Sequence, residues 1–315
     1  PAGAWRGGPG PNFPIIAQYG RGTHVQVLER RPDTKWIKVS VVTTGEIGWM
    51  HSDYLVAAQG TISDGLFLQV PTPLPSTSST PLPRLLDLDV TWISIPSGTF
   101  AKGSDDNDIA FAVNECNRWE GNCQSTWFDS ESPKKSVSTA GYSIMKFEVT
   151  NAQYSTCVAA GACQTAGRNV TDNNIPYDSD LFLADHPVVG VNFYDAASFC
   201  TWIGARLPTE DEWEKAARGT DSRIYPWGNS MDSSFANLDS QVSTAVGSYS
   251  GGVSPYGVWD MAGNAFEWTA TNVRGRYVLR GGSWHTYPFR ARVADRGTKL
   301  DPGFANYDIG FRCVR

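Results

Sequence analysis

The chain has 315 residues, enough for one large core or two smaller ones, and a formal net charge of -6 with acidic and basic residues interspersed. Nucleic-acid binding draws most of its energy from a basic stripe that neutralises phosphates, and none is present, so that class is excluded. Charged residues make up 18%, while 12 Trp and 31 Gly point away from a helix bundle and toward a loop-rich fold with an aromatic core.

In chain order, residues 11 to 58 read as short strands separated by polar turns: Ile15–Tyr19, Thr23–Leu28, Trp36–Val42 and Ile47–Met50. These predict a small all-β barrel over residues 1–58. The run Gly7 to Ile16, then Trp36-Ile37-Lys38-Val39 and Gly45 to Leu55, resemble the bacterial Src-homology-3-like domain. That resemblance implies either contact with surface polymers or a spacer role, and no residue here selects a ligand, so the spacer reading is preferred. Residues 59–88 form a linker centred on Pro71 to Pro83, where alternating Pro, Ser and Thr favour extended polyproline conformations.

The second domain, 89–315, is predicted to hold two firm helices and a third candidate. Thr150 to Ala160 places Tyr154, Cys157 and Val158 at helical spacing, and Thr209 with Glu212 forms a capping box that opens a helix burying Trp213, Ala216 and Ala217. Asp195 to Ile203 carries Ala196, Phe199, Cys200 and Ile203 on one face. Elsewhere Gly, Asn, Asp and Pro break the chain into turns and short strands. No apolar run approaches the roughly 20 residues that cross a bilayer, and the opening Pro-Ala-Gly-Ala-Trp reads as a fragment lacking an upstream signal or anchor.

Six cysteines bear on the compartment. Cys116 with Cys123, and Cys157 with Cys163, flank short loops suited to local disulfides, which leaves Cys200 with Cys313. Three disulfides place the protein outside the cytoplasm, secreted or surface-displayed; six free thiols in the cytosol is the competing reading.

Five segments then occur in order: Trp92 to Phe100, Glu148 to Tyr154, His186 to Val191, Arg206 to Glu214 and Gly263 to Trp268, closed by Gly310-Phe311-Arg312-Cys313. Together they resemble the formylglycine-generating enzyme and sulfatase-modifying-factor family across residues 90 to 315. The resemblance implies an α+β, elaborated C-type-lectin-like fold with much irregular structure, and a disulfide between Cys200 and Cys313. It implies oxidase chemistry only where a copper-binding cysteine pair follows Gly-Gly-Ser. Thr286 stands where the first would be, and no cysteine lies between Cys200 and Cys313. Sulfoxide-forming relatives need three iron-ligating histidines, whereas His24, His51, His186 and His285 are scattered singly. The family's calcium loop corresponds to Asp260 and Glu267 as carboxylates with Gly263 and Ala265 as carbonyl donors, so a structural Ca²⁺ is expected, against the alternative of a metal-free turn capped by Asn264. A second family calcium site maps on Asn237 and Leu238, but its completing loop is shortened.

The tail, about 280–312, runs from Arg280-Gly281-Gly282-Ser283-Trp284 to Ile309-Gly310-Phe311-Arg312 around residues with no hydrophobic period. This frame resembles the variable proteins of diversity-generating retroelements, in which adenine-rich, mostly Asn, codons are mutated at fixed positions. By that resemblance His285, Thr286, Tyr287, Phe289, Arg290, Asp295, Gly297, Thr298, Phe304, Asn306, Tyr307 and Asp308 would line one ligand-binding face, while Lys299 is hard to reach from such a codon. The expected function is non-catalytic recognition of a protein or cell-surface ligand, with no nucleic-acid partner and no membrane span. The alternatives are an oxidase of the resembled family or an inactive relative with an ordinary surface loop.

Overall fold

Ile37 and Val39 are buried while Lys38 and Ser40 between them are half-buried, the period of two that a strand with one covered face requires. The computed structural model describes the strands between residues 3 and 69 and the whole of 88–167 and 183–315. The chain divides into two compact units, Pro1–Pro81 and Leu82–Arg315. In the first, β1 (Gly3–Arg6), β2 (Ile15–Tyr19), β3 (His24–Arg30), β4 (Trp36–Val41), β5 (Ile47–His51), β6 (Val56–Ala57) and β7 (Phe67–Gln69) form one antiparallel sheet in the order β2-β1-β5-β4-β3-β7-β6. The four expected strands are present. Strand β7 lies within the stretch assigned to the linker and pairs with β3, His24 opposite Gln69. The Pro71–Pro83 tract lies outside the described residues, as do the side chains of His24 and His51.

The second unit is built from small sheets and helices joined by turns. Strand β8 (Trp92–Ile95) pairs with β11 (Tyr142–Met145), and β9 (Gly98–Lys102) with β10 (Lys135–Thr139). A four-stranded sheet runs β14-β13-β12-β15, with β12 Phe266–Val273, β13 Arg276–Arg280, β14 Lys299–Leu300 and β15 Ile309–Gly310, the last parallel to β12. The end of the chain then runs beside β11, where the Met145 amide donates to the Cys313 carbonyl at 3.0 Å and Ser143 exchanges amide-carbonyl bonds with Arg315. Phe311 and Cys313 are thereby fully buried.

Four α-helices lie among the described residues, and each opens on a capping box: α1 (Asp106–Asn117) on Asp105 and Asp108, α2 (Asn151–Ala159) on Thr150 and Gln153, α3 (Phe193–Trp202) on Asn192 and Asp195, α4 (Glu210–Arg218) on Thr209 and Glu212. Helix α4 buries Trp213, Ala216 and Ala217 as expected. Helix α3 starts two residues earlier than read, because the Asn192 side chain accepts from the Asp195 amide. Helix α1 was not anticipated: its Ile109, Ala112, Val113 and Cys116 are periodic, but five Asp and Asn residues dilute the signal. The main core packs Tyr154, Phe199, Phe311, Trp268 and Leu279 with the Cys200–Cys313 disulfide. Cys116–Cys123 and Cys157–Cys163 form the two local bridges.

Candidate ligand-binding face

Three arginines fix the tail from inside. Arg280 pairs with Glu214, Arg292 makes a bidentate pair with Glu131 at 2.7 and 2.8 Å, and Arg312 a bidentate pair with Glu267 at 2.8 and 2.7 Å; all six side chains are buried. A fourth, Arg296, clasps Glu210 at 2.8 and 2.9 Å from a half-buried position. The pairs join the tail to three elements: Arg280 and Arg296 to α4, Arg292 to the 3-10 turn Ser125–Glu131, and Arg312 to β12. Buried guanidinium–carboxylate forks hold direction as well as charge, so the tail backbone has one path. Gly281 and Gly282 sit at φ 91° and 75°, and a Cβ on Gly282 would come within 2.9 Å of the Thr286 hydroxyl, so glycine is required.

From this frame the intervening side chains face outward unequally. His285, Tyr287, Gly297 and Phe304 are exposed, and Thr286, Arg290, Thr298, Asn306 and Tyr307 are half-buried. His285 and Tyr307 flank the buried Trp284, with ring centroids 5.3 and 5.5 Å from it. The Thr286 hydroxyl closes its own turn by donating to the Ser283 carbonyl at 2.9 Å.

Three residues assigned to the face belong to the interior instead. Phe289 is 1% exposed and meets Phe128 edge-on at 6.4 Å, in a cluster with Ala112, Cys116 and Cys123, because the 3-10 turn Pro288–Ala291 points its ring inward. Asp295 is buried between Arg290 and Arg292 at 3.8 and 3.7 Å; desolvation, reinforced by Glu131, raises its pKa. Asp308 accepts the Ser283 hydroxyl at 2.9 Å, and its pKa is raised by burial.

One residue of the face was not read from the sequence. Trp119, exposed at 43%, leaves the end of α1 inside the loop closed by Cys116–Cys123 and stacks on Tyr287, ring centroids 5.7 Å apart and 26° between planes. An exposed tryptophan in a disulfide-closed loop was its only sequence signal.

The loop expected to hold calcium is tied up differently from the expectation. Glu267 has both carboxylate oxygens on Arg312, and one of them also accepts Trp213 Nε1 at 2.8 Å. Asp260, at φ 55°, accepts the Gly247 amide at 2.7 Å, and its carbonyl accepts Arg312 at 3.2 Å. Glu148 lies alongside, fully buried, accepting from Asn264 Nδ2 and the Ala265 amide at 2.9 and 3.1 Å. Desolvation, with Asp260 and Glu267 nearby, holds the Glu148 carboxyl well above its ordinary range, and desolvation raises Asp260 as well. Three carboxylates thus share one guanidinium, an excess of hard negative oxygen that suits a divalent cation, although Glu267 itself is saturated. Asn237, expected at the second calcium site, spends its side chain on Val242, Asn264 and Ser240, and Leu238 packs in the core.

His186 bonds Ser243 Oγ through Nδ1 at 3.0 Å, a structural contact in the loop before α3. Among the described residues the one close set of metal-ligating atoms is Cys116, Glu120 and Cys123, whose two sulfurs are joined to each other. No helix among those residues is long and apolar enough to cross a membrane.

The fold is an α+β, elaborated C-type-lectin-like domain preceded by an all-β unit. Residues 85–315 match the sulfatase-modifying factor enzyme 1-like domain and residues 6–56 the bacterial SH3 domain, and the chain belongs to the former family. The serine/threonine-protein kinase pkn1 of Chlamydia caviae is 40% identical over 153 residues, 42% of this chain and 24% of its own, so the chain spans about a quarter of that relative. The inactive C-alpha-formylglycine-generating enzyme 2 of Bos taurus is 39% identical over 152 residues, 41% of this chain and 50% of its own. Among solved structures, Treponema denticola variable protein 1 superposes with a TM-score of 0.51 at 20% identity, covering 71% of this chain and 94% of that one, which establishes shared fold.

Proposed function

We propose that the protein is a non-catalytic recognition protein of the variable kind found with diversity-generating retroelements, displayed outside the cytoplasm and binding a protein or cell-surface ligand through its tail. The observation that carries this reading is the division of the tail into a wholly buried frame and an exposed set of unlike side chains. Arg280, Arg292 and Arg312 are at most 1% exposed, while His285, Tyr287 and Phe304 between them face solvent. Such a division lets side chains change without disturbing the backbone, which is what a diversified surface needs. Tyr and Phe supply rigid contact area at low entropy cost, and Thr and Asn adaptable polar contacts. Against an oxidase reading, Thr286 offers a hydroxyl already committed to Ser283. Three disulfides support an oxidising compartment.

The test is to sequence the 3' end of the gene across a cell population. Variation confined to adenines in the codons of exposed tail residues, with the arginine and glycine frame constant, is expected. An unvarying tail, or oxygen uptake on a cysteine peptide after loading with copper or iron, overturns the reading. As part of the scaffold we also propose a Ca²⁺ held by Asp260 with the Gly263 and Ala265 carbonyls. Calcium is then expected to raise the melting temperature over that in chelator, and equal melting removes it.

A further inference from the structure

We propose that Trp119 is a constant aromatic anchor of the recognition face, supplied from outside the tail, and that the face it completes fits a folded protein surface carrying an apolar patch beside carboxylates. This deepens the recognition reading above and rests on it. Phe289 is buried, Tyr287 is 39% exposed and Trp119 43% exposed; Tyr287 is near-parallel to both, at 6.4 and 5.7 Å. The rings therefore lead from the interior to the surface, rooted on Phe128 below Phe289.

The segment that brings Trp119 there is fixed to the frame rather than merely near it. Glu131 accepts from both terminal nitrogens of Arg292, the Ser130 carbonyl accepts Arg296 at 2.8 Å, and the Cys116–Cys123 bridge is buried against Phe289 and Phe128. An exposed indole held this way loses little conformational freedom on binding, so its contact area converts to affinity with a small entropic cost. None of these supports depends on which residues occupy positions 285, 286 or 304, so the anchor's place persists as those change, while its ring rests on Tyr287.

The polar inventory decides the class of partner. Asp295 and Asp308 are buried with their oxygens engaged internally, and Asn306 Oδ1 accepts the Tyr307 amide at 2.9 Å. A glycan needs free carboxylate and amide acceptors for its hydroxyls, and those of Asp295, Asp308 and Asn306 Oδ1 in the tail are engaged. The exposed set is then led by Trp119, Tyr287, Phe304 and the half-exposed guanidinium of Arg290, with His285 and Thr286 beside them; aromatics with arginine are the composition of protein–protein hot spots, with positive charge to meet a carboxylate. Glu120 is the loop's own exposed carboxylate, beside Arg118.

The experiment displays the whole chain on phage with positions 285, 286, 290, 304, 306 and 307 diversified and Tyr287 kept, and selects against serum albumin, an acidic folded protein. Each selected clone is then remade with Trp119→Ala and Trp119→Phe. Expected is a loss of affinity of about tenfold or more with Trp119→Ala in most clones, retention of most of it with Trp119→Phe, and unchanged melting temperatures. Clones whose affinity stays within about twofold after Trp119→Ala overturn the anchor while leaving the recognition reading standing. Trp119-dependent binding to a printed glycan array, with none to proteins, overturns the partner class. A library that folds and yields no binder at all sinks the recognition reading and this inference together.

Discussion

At the scale of single residues, the tail sorts into side chains that hold and side chains that show. Arg292 and Glu131 are both buried and satisfied only by each other and their immediate neighbours. Removing one leaves an uncompensated buried charge, so Arg292→Ala is expected to cost about 3–5 kcal/mol in denaturant unfolding, and Phe289→Ala a similar amount through the cavity it opens. Tyr287→Ala, at a half-open position, should cost about 1 kcal/mol or less. Asp308 gives a pH signature. Its pKa is raised in the fold, so the folded state binds a proton more tightly, and stability falls as pH rises from 3.8 through the raised value. Asp308→Asn removes that titration: the variant should gain on the wild type from that pH upward, and a difference independent of pH would refute the argument. The frame could be read because Arg280-Gly281-Gly282-Ser283-Trp284 and Ile309-Gly310-Phe311-Arg312 carry the family resemblance. Which of the twelve residues point inward could not, since an irregular backbone has no period to separate Phe289 from Phe304.

At the scale of elements, what was legible followed what is local. The capping box at Thr209 and the apolar spacing of α4 are written within nine residues, and the two short disulfides within seven. Helix α1 has the same kind of cap, yet its face is covered by Phe128 and Phe289, contacts distant in sequence that no window can display. Strand β7 has three residues, and its pairing with β3 and β6 makes it a strand. The bridges differ in what they restrain. Cys200–Cys313 closes a separation of 113 residues and Cys157–Cys163 one of 6. On loop-closure entropy, replacing the first pair by alanine should cost about 4–5 kcal/mol and the second about 2, and equal losses in denaturant titration would mean that native packing around Cys200 governs instead.

At the scale of the molecule, the C-type-lectin-like domain places its most restrained side chains and a set of exposed ones in one stretch of chain. The frame arginines reach α4, the Ser125–Glu131 turn and β12, so three separate parts of the domain hold the tail from beneath. Stability should therefore be nearly independent of the exposed set. Simultaneous exchange of the exposed His285, Tyr287 and Phe304 for a mixture of Ser, Asn, Tyr and Asp is expected to move the melting temperature of the full chain by no more than a few degrees in most variants, since surface substitutions mostly contribute within about 0.5 kcal/mol each. Adding Phe289 to the exchanged set should lower the melting temperature of most of them sharply, because one buried ring of the Phe128 cluster is then lost with no compensating contact. If the first library melts as broadly as the second, the exposed residues support the fold, and the tail is an ordinary structural loop rather than a surface built to vary.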